Sequence, residues 1–287
     1  MIYKNRAGYD KKSYQDLRND CEKCFGFCCI ALYFSASDGF PVDKTAGKPC
    51  INLQQDFKCT VHKNLRDKGL KGCTAYDCFG AGQKVAQITY GGRSWRQDEE
   101  SREQMFEAFL VMRQLHEMLW YLKEALRIGR NSNIESKLSC LISETEKLTL
   151  LSCDSLIALD LESHRTEVNS LLEKISELVR SRTLGGQKSN LKRRKTIGGR
   201  LDLIGADLRK INLRGTDLRG DFLIAANLKG ADLTGADFIG ADIRDADIRG
   251  ANLTDSIFLT QSQINTAKGD SNTKLPISLS RPLYWDK

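Results

Sequence analysis

The 287-residue sequence contains few of the residues on which common enzyme motifs depend. Histidine occurs only three times and proline only four times. None of the histidines belongs to a Ser/His/Asp constellation or a His-Glu-x-x-His motif, and neither a phosphate-binding P-loop nor a dinucleotide-binding glycine fingerprint is present. These absences favour a protein that is not an enzyme.

The sequence also lacks a long apolar segment. No run of 18 apolar residues occurs, so a transmembrane helix is not expected. The first twenty residues are polar and charged and lack the apolar stretch of a secretory signal, which predicts a cytoplasmic protein with reduced thiols. The composition, 40% hydrophobic and 28% charged, is typical of a globular protein, and the net charge of +7 is compatible with an acidic partner.

Cysteine, in contrast, is concentrated in one region. Eight of the ten cysteines lie between Cys21 and Cys78. Because a cytoplasmic chain keeps its thiols reduced, this density predicts metal binding rather than disulfides. The predicted ligands are Cys21, Cys24, Cys28, Cys29, Cys50, Cys59, Cys73 and Cys78, with His62 weighed evenly as a ligand or a bystander.

The spacing within the cluster bears on the number of ions. A Cys-x-x-Cys pair brings two thiolates onto one ion through a tight loop. The adjacent Cys28 and Cys29 are harder to place on a single ion, which indicates either two metal centres or one cluster with bridging thiolates. Residues 1–100 carry only scattered apolar residues, and a structural zinc site would add about 10 kcal/mol of stability to such a region.

The segments "CEKCFGFCC", "GKPCINLQQDFKCTVH" and "GCTAYDC" resemble a cysteine-cluster family described as a zinc- or iron-chelating domain. The resemblance covers about residues 18–85 and implies that the seven cysteines from Cys21 to Cys73 are metal ligands; Cys78 also fits. The Arg-Pro step common before the late cysteine of that family is replaced here by "LRDKGLKG". The metal stays open between Zn²⁺, iron and an iron–sulfur cluster, because thiolate ligands suit all three.

Two glycines follow the last cysteine of the cluster. Gly80 and Gly82 indicate a turn that closes the metal site rather than a phosphate cradle, because the Walker spacing is absent. The next segment, "QITYGG" at Gln87–Gly92, is predicted as a short strand ending in a turn.

Two helical patterns occupy the middle of the chain, where no proline interrupts residues 98–182. Apolar residues recur at three- and four-residue steps over residues 98–128 and again over about 136–182, which predicts a helical hairpin or small bundle. Packing against the cysteine region is favoured over a homodimer interface, because the heptad spacing is irregular. His116, Cys140 and Cys153 are predicted as core or surface residues of these helices and not as ligands.

Residues 183–199 are interpreted as a linker, because paired glycines flank a basic run. This run consists of Lys192, Arg193, Arg194 and Lys195. It could bind nucleic acid or an acidic protein surface, but four charges without interleaved aromatic residues are more often a solvated loop. Nucleic acid is therefore a weaker expectation than a protein partner.

The C-terminal part has a period of five residues. In each unit the third residue is large and apolar, the first is usually alanine, and Asp or Asn commonly stands between them. Residues two apart on an extended chain share a side, so the small and large residues point inward and the Asp or Asn points outward. A helix is excluded, because a spacing of five scatters successive leucines around its axis. The twelve predicted core residues are Leu203, Leu208, Leu213, Leu218, Leu223, Leu228, Leu233, Phe238, Ile243, Ile248, Leu253 and Phe258.

This pattern, A-(D/N)-L-x-x, resembles the pentapeptide-repeat family. The resemblance implies a right-handed quadrilateral β-helix with four repeats per coil, and so three coils about 14 Å tall, closed by a short helix near "SQINTAKGD" and an extended tail. The predicted fold is thus multidomain. Its parts are a cysteine-rich metal-binding domain (1–97), a helical hairpin or small bundle (98–182), a basic linker (183–199), the β-helix solenoid (200–260) and a C-terminal cap and tail (261–287).

Three functions are compatible with these features. The first is a non-catalytic, metal-stabilised scaffold that binds another protein. The second is drug-target protection or self-immunity of the topoisomerase type, by imitation of duplex DNA. It is disfavoured, because residues 199–260 contain ten aspartates against eight arginines and lysines, a net charge of only −2. The third is redox or group-transfer chemistry at an iron or iron–sulfur site, which requires an open coordination position.

Overall fold

The computed structural model describes residues 11–129, 132–186, 196–209 and 211–286. The chain divides into two units. Asp10–Leu126 and Ser132–Ser170 form the first, called here the N-terminal unit, and Leu171–Lys287 forms most of the second, called the C-terminal unit. The division falls within helix α7 (Leu161–Leu184), so the helical middle of the chain is shared between the two units.

Short helices and loops build the cysteine-rich part of the N-terminal unit. The α-helices are α1 (Phe27–Ala31), α2 (Lys71–Ala75) and α3 (Ala81–Lys84). Turns of 3-10 helix cover Lys11–Leu17, Ala36–Asp38 and His62–Asn64. With no helix longer than seven residues in this stretch, most of its backbone depends on side-chain packing for its position.

The strand predicted at Gln87–Gly92 is wrong. Val85–Thr89 continue helix α3 as a π-helical turn, and the Tyr90 amide donates to the Val85 carbonyl oxygen at 3.0 Å. Ala81 and Val85 are both fully buried, and their separation of four residues is that of one helix face. This burial outweighs the strand preference of the β-branched residues that follow.

The predicted helical patterns are confirmed. They form α4 (Arg102–Ile128), α5 (Ser132–Leu148), α6 (Cys153–Ile157) and α7. Phe27 of α1 stacks on Phe109 of α4 with 5.4 Å between ring centroids, so α4 packs against the cysteine region. Within the described residues, no helix combines the length and the apolar character needed to cross a membrane.

His116 belongs to the core of the N-terminal unit, as predicted. Its side chain is 3% exposed, and Nδ1 donates to the Phe79 carbonyl oxygen at 2.7 Å. Burial lowers the pKa of the imidazole to about 4, so the ring is neutral near pH 7. It joins α4 to the turn that precedes α3 and plays a structural part.

In the C-terminal unit the chain is wound into a coil with four repeats per turn. Parallel bridges pair residues twenty positions apart, for example Asp202 with Phe222 and Asp237 with Ile257. All twelve predicted core residues, from Leu203 to Phe258, are at most 1% exposed. The prediction of four repeats per turn is therefore confirmed, and so is the inward orientation of the third residue in each repeat.

Regular strands are few among the described residues. β1 (Thr196–Ile197) and β2 (Arg200–Leu201) form an antiparallel pair, and each bridge between coils is a single residue long. Each repeat has only two or three extended residues before the next corner, so the pairing between coils cannot lengthen into a strand.

The predicted helix after the last repeat closes one end of the coil. Helix α8 spans Gln261–Thr266. The side-chain amide of Gln263 donates to the carbonyl oxygens of Phe238 at 2.9 Å and of Ala241 at 2.8 Å. These two bonds attach α8 to the coil, and the Phe238 carbonyl oxygen also accepts from the Ala241 amide at 3.0 Å.

One side of the coil is covered by the C-terminal half of α7. Ser176 donates to the Asp237 carboxylate at 2.5 Å, and Arg180 pairs with Asp217 at 2.9 Å. Asp237 occupies a position predicted to point to solvent, and on this side that expectation is wrong. Its side chain is fully buried, because the helix lies over it.

Candidate metal centre

The cysteines of the cluster come from helices α1 and α2 and from the surrounding loops. Cys28 and Cys29 lie in α1, and Cys73 lies in α2. All eight have free thiols; Cys50 is buried, Cys21 is exposed and the other six are partly buried. The ligand set predicted from the sequence is therefore present as thiols that carry no disulfide.

Three of the sulfurs accept hydrogen bonds from the backbone amides of the residues that follow them. An amide donor stabilises the thiolate, which is the form that binds metal, and lowers the pKa of the thiol. The pairs of amides are those of Gly26 and Phe27 at Cys24, Val61 and His62 at Cys59, and Gly80 and Gly82 at Cys78. These amides favour the thiolate form of the three cysteines.

Two glycines make room for this arrangement. Gly26 has φ of 66°, a left-handed conformation that turns the chain after Cys24 into helix α1. A Cβ atom at Gly82 would lie 2.5 Å from the Cys24 sulfur, so the missing side chain provides the space that the sulfur occupies. Gly80, with φ of 78°, belongs to the turn predicted near Cys78, whereas Gly82 lies within helix α3; that this turn closes a metal site stays a prediction.

Burial opposes ionisation of these thiols as long as they have no cation. It raises the pKa of Cys24 to about 11 and those of Cys73 and Cys78 to about 12, and the negative charges of neighbouring cysteines add to the effect. The pKa of Cys29 is also raised, first by its hydrogen bond with Cys28. A bound cation would compensate for the gathered thiolate charge, which is how metal binding becomes coupled to proton release.

One pair of sulfur atoms lies at a distance suited to a shared ion. The sulfurs of Cys28 and Cys29 are 3.9 Å apart. Zinc–sulfur bonds of about 2.3 Å in a tetrahedron place two sulfurs about 3.8 Å apart. Cys29 also forms a hydrogen bond with the thiol of Cys59. The chemistry of the donors therefore fits a thiolate-bound metal.

The arrangement stops short of a complete coordination shell. Across the described residues, no group of three or more His, Cys, Asp or Glu side chains is placed to hold a metal ion. The identity and the number of the ions remain predictions.

The remaining predicted residues have different positions. The Nε2 atom of His62 lies 3.6 Å from the Cys21 sulfur, and both side chains are exposed, so ligand and bystander both stay open. Cys140 is exposed on α5, and the Cys153 sulfur in α6 lies 2.6 Å from the Tyr90 hydroxyl. The basic run from Lys192 to Lys195 lies outside the described residues.

Two residues near the cluster were not expected from the sequence. Lys44 is 8% exposed, and its ammonium donates to the carbonyl oxygens of Ile30, at 2.7 Å, and Leu32. Asn19 accepts a hydrogen bond from the Cys78 thiol at 3.1 Å. A lysine in a loop and an asparagine before the first cysteine carry no local signal, because only the tertiary fold brings them to the sulfurs.

Comparison with known proteins agrees with the geometry of the C-terminal unit. The family model described as "Pentapeptide repeats" matches eight copies over residues 200–220 and 223–258. With four repeats in each coil and an inward ladder of large apolar residues, the chain is a pentapeptide-repeat protein. The match covers the repeats alone, so the resemblance of the cysteine cluster to a metal-chelating family stays a prediction.

A relative is similar over nearly the whole length. The uncharacterized protein YybG of Bacillus subtilis (strain 168) is 57% identical over 272 residues, which cover 95% of this chain and 96% of the relative. The chain therefore belongs to the same family as YybG. A crystal structure of the pentapeptide-repeat protein Rfr23 from the cyanobacterium Cyanothece 51142 aligns with 28% of this chain and 67% of its own, at 30% identity and a TM-score of 0.22. That alignment is too weak to add to the description of the fold.

Proposed function

We propose that the protein is a non-catalytic scaffold that binds another protein and whose N-terminal unit is stabilised by metal. The observation that carries the binding role is the regular surface of the coil. Positions twenty residues apart lie on the same side, about 4.8 Å from one another. Such a stack presents a row of similar groups to an extended partner, which is how solenoid proteins commonly bind.

One side of the coil carries a basic row, defined here as Arg209, Lys229 and Arg249. All three side chains are exposed. Arg209 and Arg249 also pair with the aspartates two residues before them, so the row is less basic than its composition suggests. A protein segment with spaced acidic residues is the partner chemistry that this row favours.

The same ion pairs argue against imitation of duplex DNA. Four outward aspartates each form an ion pair with the arginine two residues later, whose guanidinium group donates to the aspartate carboxylate. The pairs are Asp207–Arg209, Asp217–Arg219, Asp242–Arg244 and Asp247–Arg249. Locally neutralised carboxylates do not form the continuous acidic surface of a DNA mimic. Target protection therefore remains the second candidate.

The metal-stabilised part of the proposal rests on the thin core of the cysteine region. One buried apolar cluster there consists of Phe34, Phe40, Cys50 and Leu70. Cys29 and Cys73 pack against it, so crosslinks through their sulfurs would strengthen the same core. An iron–sulfur centre is the alternative occupant, and absorption in the visible range distinguishes it from zinc.

Charge reversal tests the binding role. We expect Lys229→Glu, within the basic row, to lose the partner that the wild-type protein retains when isolated from cells. Lys274→Glu makes the same charge change at an exposed position that pairs with Asn252, on another side of the coil, and should keep the partner. Equal retention by both variants would contradict binding through the basic row. Elemental analysis of reduced, folded protein tests the metal, and a content below about 0.2 equivalents would contradict it.

A further inference from the structure

We propose that the coil has a second place for a helix, which binds a helix of the partner protein in the way that the covered side binds α7. Four residues form this place, called here the open seat: Gly230, Asp232, Gly250 and Asn252. The inference rests on the binding role in the proposed function. It adds the kind of segment that the partner presents beside the basic row.

The covered side shows how this coil binds a helix. Four coil residues make the contact and are called here the α7 seat: Gly215, Asp217, Gly235 and Asp237. Arg180 pairs with Asp217 at 2.9 Å and donates to the Gly215 carbonyl oxygen at 3.3 Å, while Ser176 donates to the Asp237 carboxylate. A Cβ atom at Gly215 would lie 2.8 Å from the Arg180 carbonyl oxygen, so the missing side chain lets the helix backbone come close.

The open seat repeats the α7 seat three repeats later along the chain. The glycines of both seats share one backbone conformation, with φ between 58° and 68°. Asp232 pairs with Asn252 in a parallel bridge, as Asp217 pairs with Asp237. Asn252 replaces the carboxylate of Asp237 with a neutral amide, which both donates and accepts hydrogen bonds and costs less to cover. Lys274, one turn beyond Asn252, is not among the four positions.

The open seat is exposed. Gly230 and Gly250 are exposed, whereas both glycines of the α7 seat are buried. A Cβ atom at Gly230 would meet no atom within 4 Å, and one at Gly250 would meet only the Gly230 backbone, at 3.9 Å. The Asp232 side chain is 45% exposed. A helix therefore has room to lie against these residues.

The other two sides of the coil differ from the α7 seat at the described positions. On one side, the Arg200 side chain lies beside Gly220, and Phe222 stands where the α7 seat has an aspartate. On the other side, Ala225 and Asp245 replace the two glycines, with φ of 55° and 58°. Side chains at these corners keep a helix further from the coil.

The basic row lies where the bound helix would end. Helix α7 ends at Leu184, which lies beside Gly215. A helix bound in the same orientation ends beside Gly230 and Gly250, and each of these glycines directly follows a residue of the basic row. Cations stabilise the C-terminal end of a helix, because its free carbonyl groups carry partial negative charge.

These contacts define the chemistry of the partner segment. It is a helix that carries a serine or threonine, an arginine four residues later to pair with Asp232, and acidic residues just after its last turn. The spacing is that of Ser176 and Arg180 in α7.

A peptide with the sequence of Leu171–Leu184 serves as the probe for the full-length protein. It is stapled between positions 174 and 178, which are exposed on α7, and is followed by either Gly-Glu-Glu or Gly-Lys-Lys. Fluorescence anisotropy should show that the glutamate peptide binds about threefold more tightly than the lysine peptide. Lys229→Glu should abolish this difference. Absence of saturable binding by both peptides would overturn the open seat.

Variants of the protein locate the binding site. Asp232→Ala should weaken binding of the glutamate peptide about tenfold, because the arginine loses its carboxylate partner. Gly230→Asn places a side chain in the seat and should also weaken it. Gly240→Asn makes the same change at an exposed glycine with φ of 66° on another side and should bind as the wild type does. Asparagine tolerates this conformation, and thermal unfolding verifies that both variants fold.

Two further results would overturn the open seat. Weaker binding by Asp217→Ala than by Asp232→Ala would show that the peptide replaces α7 on the covered side. Equal affinities of the wild type, Gly230→Asn and Gly240→Asn would show that the glycine corner is not part of the site. The peptide measurements do not involve the cellular partner, so loss of that partner from Lys229→Glu without peptide binding would leave the proposed function standing and this inference wrong.

Discussion

The coil of the C-terminal unit buries one large apolar residue in every five, whereas the loops between α1 and α2 pack around a cluster of four buried residues and several thiols. In the coil, parallel bridges join residues about twenty positions apart, so the same kind of contact recurs from turn to turn. In the cysteine region each contact is different and joins distant parts of the chain. A repeated fold thus gains its stability from one contact used many times, whereas the cysteine region has many different contacts, to which the proposed metal would add.

Metal removal should produce the largest difference between the two regions. Chelation under reducing conditions should loosen residues 21–78, because each structural zinc site proposed there would contribute about 10 kcal/mol of stabilisation. The coil keeps its apolar ladder and its pairing between turns. Limited proteolysis with mass spectrometry should show early cleavage before Gly92 and survival of a fragment that includes Leu201–Trp285. Degradation of both regions at the same rate would show that they unfold together.

A charge placed inside the coil should have the next largest effect. Phe238 is 1% exposed, so Phe238→Asp would bury a carboxylate without a partner and should unfold the coil or cause aggregation. Arg244→Ala, at an exposed position, should change the free energy of unfolding by about 0.5 kcal/mol or less. Thermal unfolding followed by circular dichroism compares the two variants. Similar melting temperatures of the two variants would show that the inward position of Phe238 does not stabilise the coil.

The two regions also differ in how far their structure follows from the sequence. The period of five predicts the burial of Leu203 and of Phe258 alike, because both occupy the inward third position of a repeat. Asp237 breaks the pattern, since its burial comes from helix α7, which has no counterpart in the period. A repeat therefore predicts its own interior and not the element that covers it.

For the cysteine cluster, the sequence predicts which side chains are candidate ligands but not which of them are neighbours. Cys-x-x-Cys spacing predicts that Cys21 and Cys24 are near one another, and nothing local predicts that Cys78 lies beside Cys24. The same holds for Lys44, which reaches the sulfurs only through the fold. The misassigned strand at Gln87–Gly92 has a similar cause, because burial of Val85 is a tertiary effect.

The covered side of the coil should respond to pH differently from its open sides. Burial raises the pKa of Asp237 to about 6 from an ordinary value near 3.8. The donors Ser176, the Ile239 amide and Arg219 lower this pKa, and the Asp217 carboxylate raises it. Because the folded state holds the proton more tightly, Asp237 contributes stability at low pH that is lost as the pH rises from about 4 through 6.

Replacement of this carboxyl by an amide tests the expectation. Asp237→Asn should raise the free energy of unfolding of the coil near pH 7.5, relative to its effect near pH 4, by on the order of 2 kcal/mol. Asp242→Asn changes the same group where Arg244 binds it at the surface, and serves as the control. Urea unfolding from pH 4 to 8 measures both. Wild-type and Asp237→Asn curves that stay parallel across this range would contradict the prediction.

The smallest effect is expected from the two cysteines outside the cluster. Their variants test whether stability and metal content depend on the positions of the cysteines or only on their number. Cys140 is exposed, so Cys140→Ser should leave the free energy of unfolding and the metal content unchanged. Cys153 contacts the hydroxyl of Tyr90, which is only 6% exposed. Cys153→Ala removes the partner of this hydroxyl and should lower the free energy of unfolding by about 1 kcal/mol. Cys153→Ser keeps a hydrogen-bonding group there and should lower it less. Urea unfolding separates these three variants, and elemental analysis of each compares its metal with the wild type. Because neither Cys140 nor Cys153 belongs to the cluster, a loss of metal from any of the three variants would remove the distinction between the cluster and the rest of the chain.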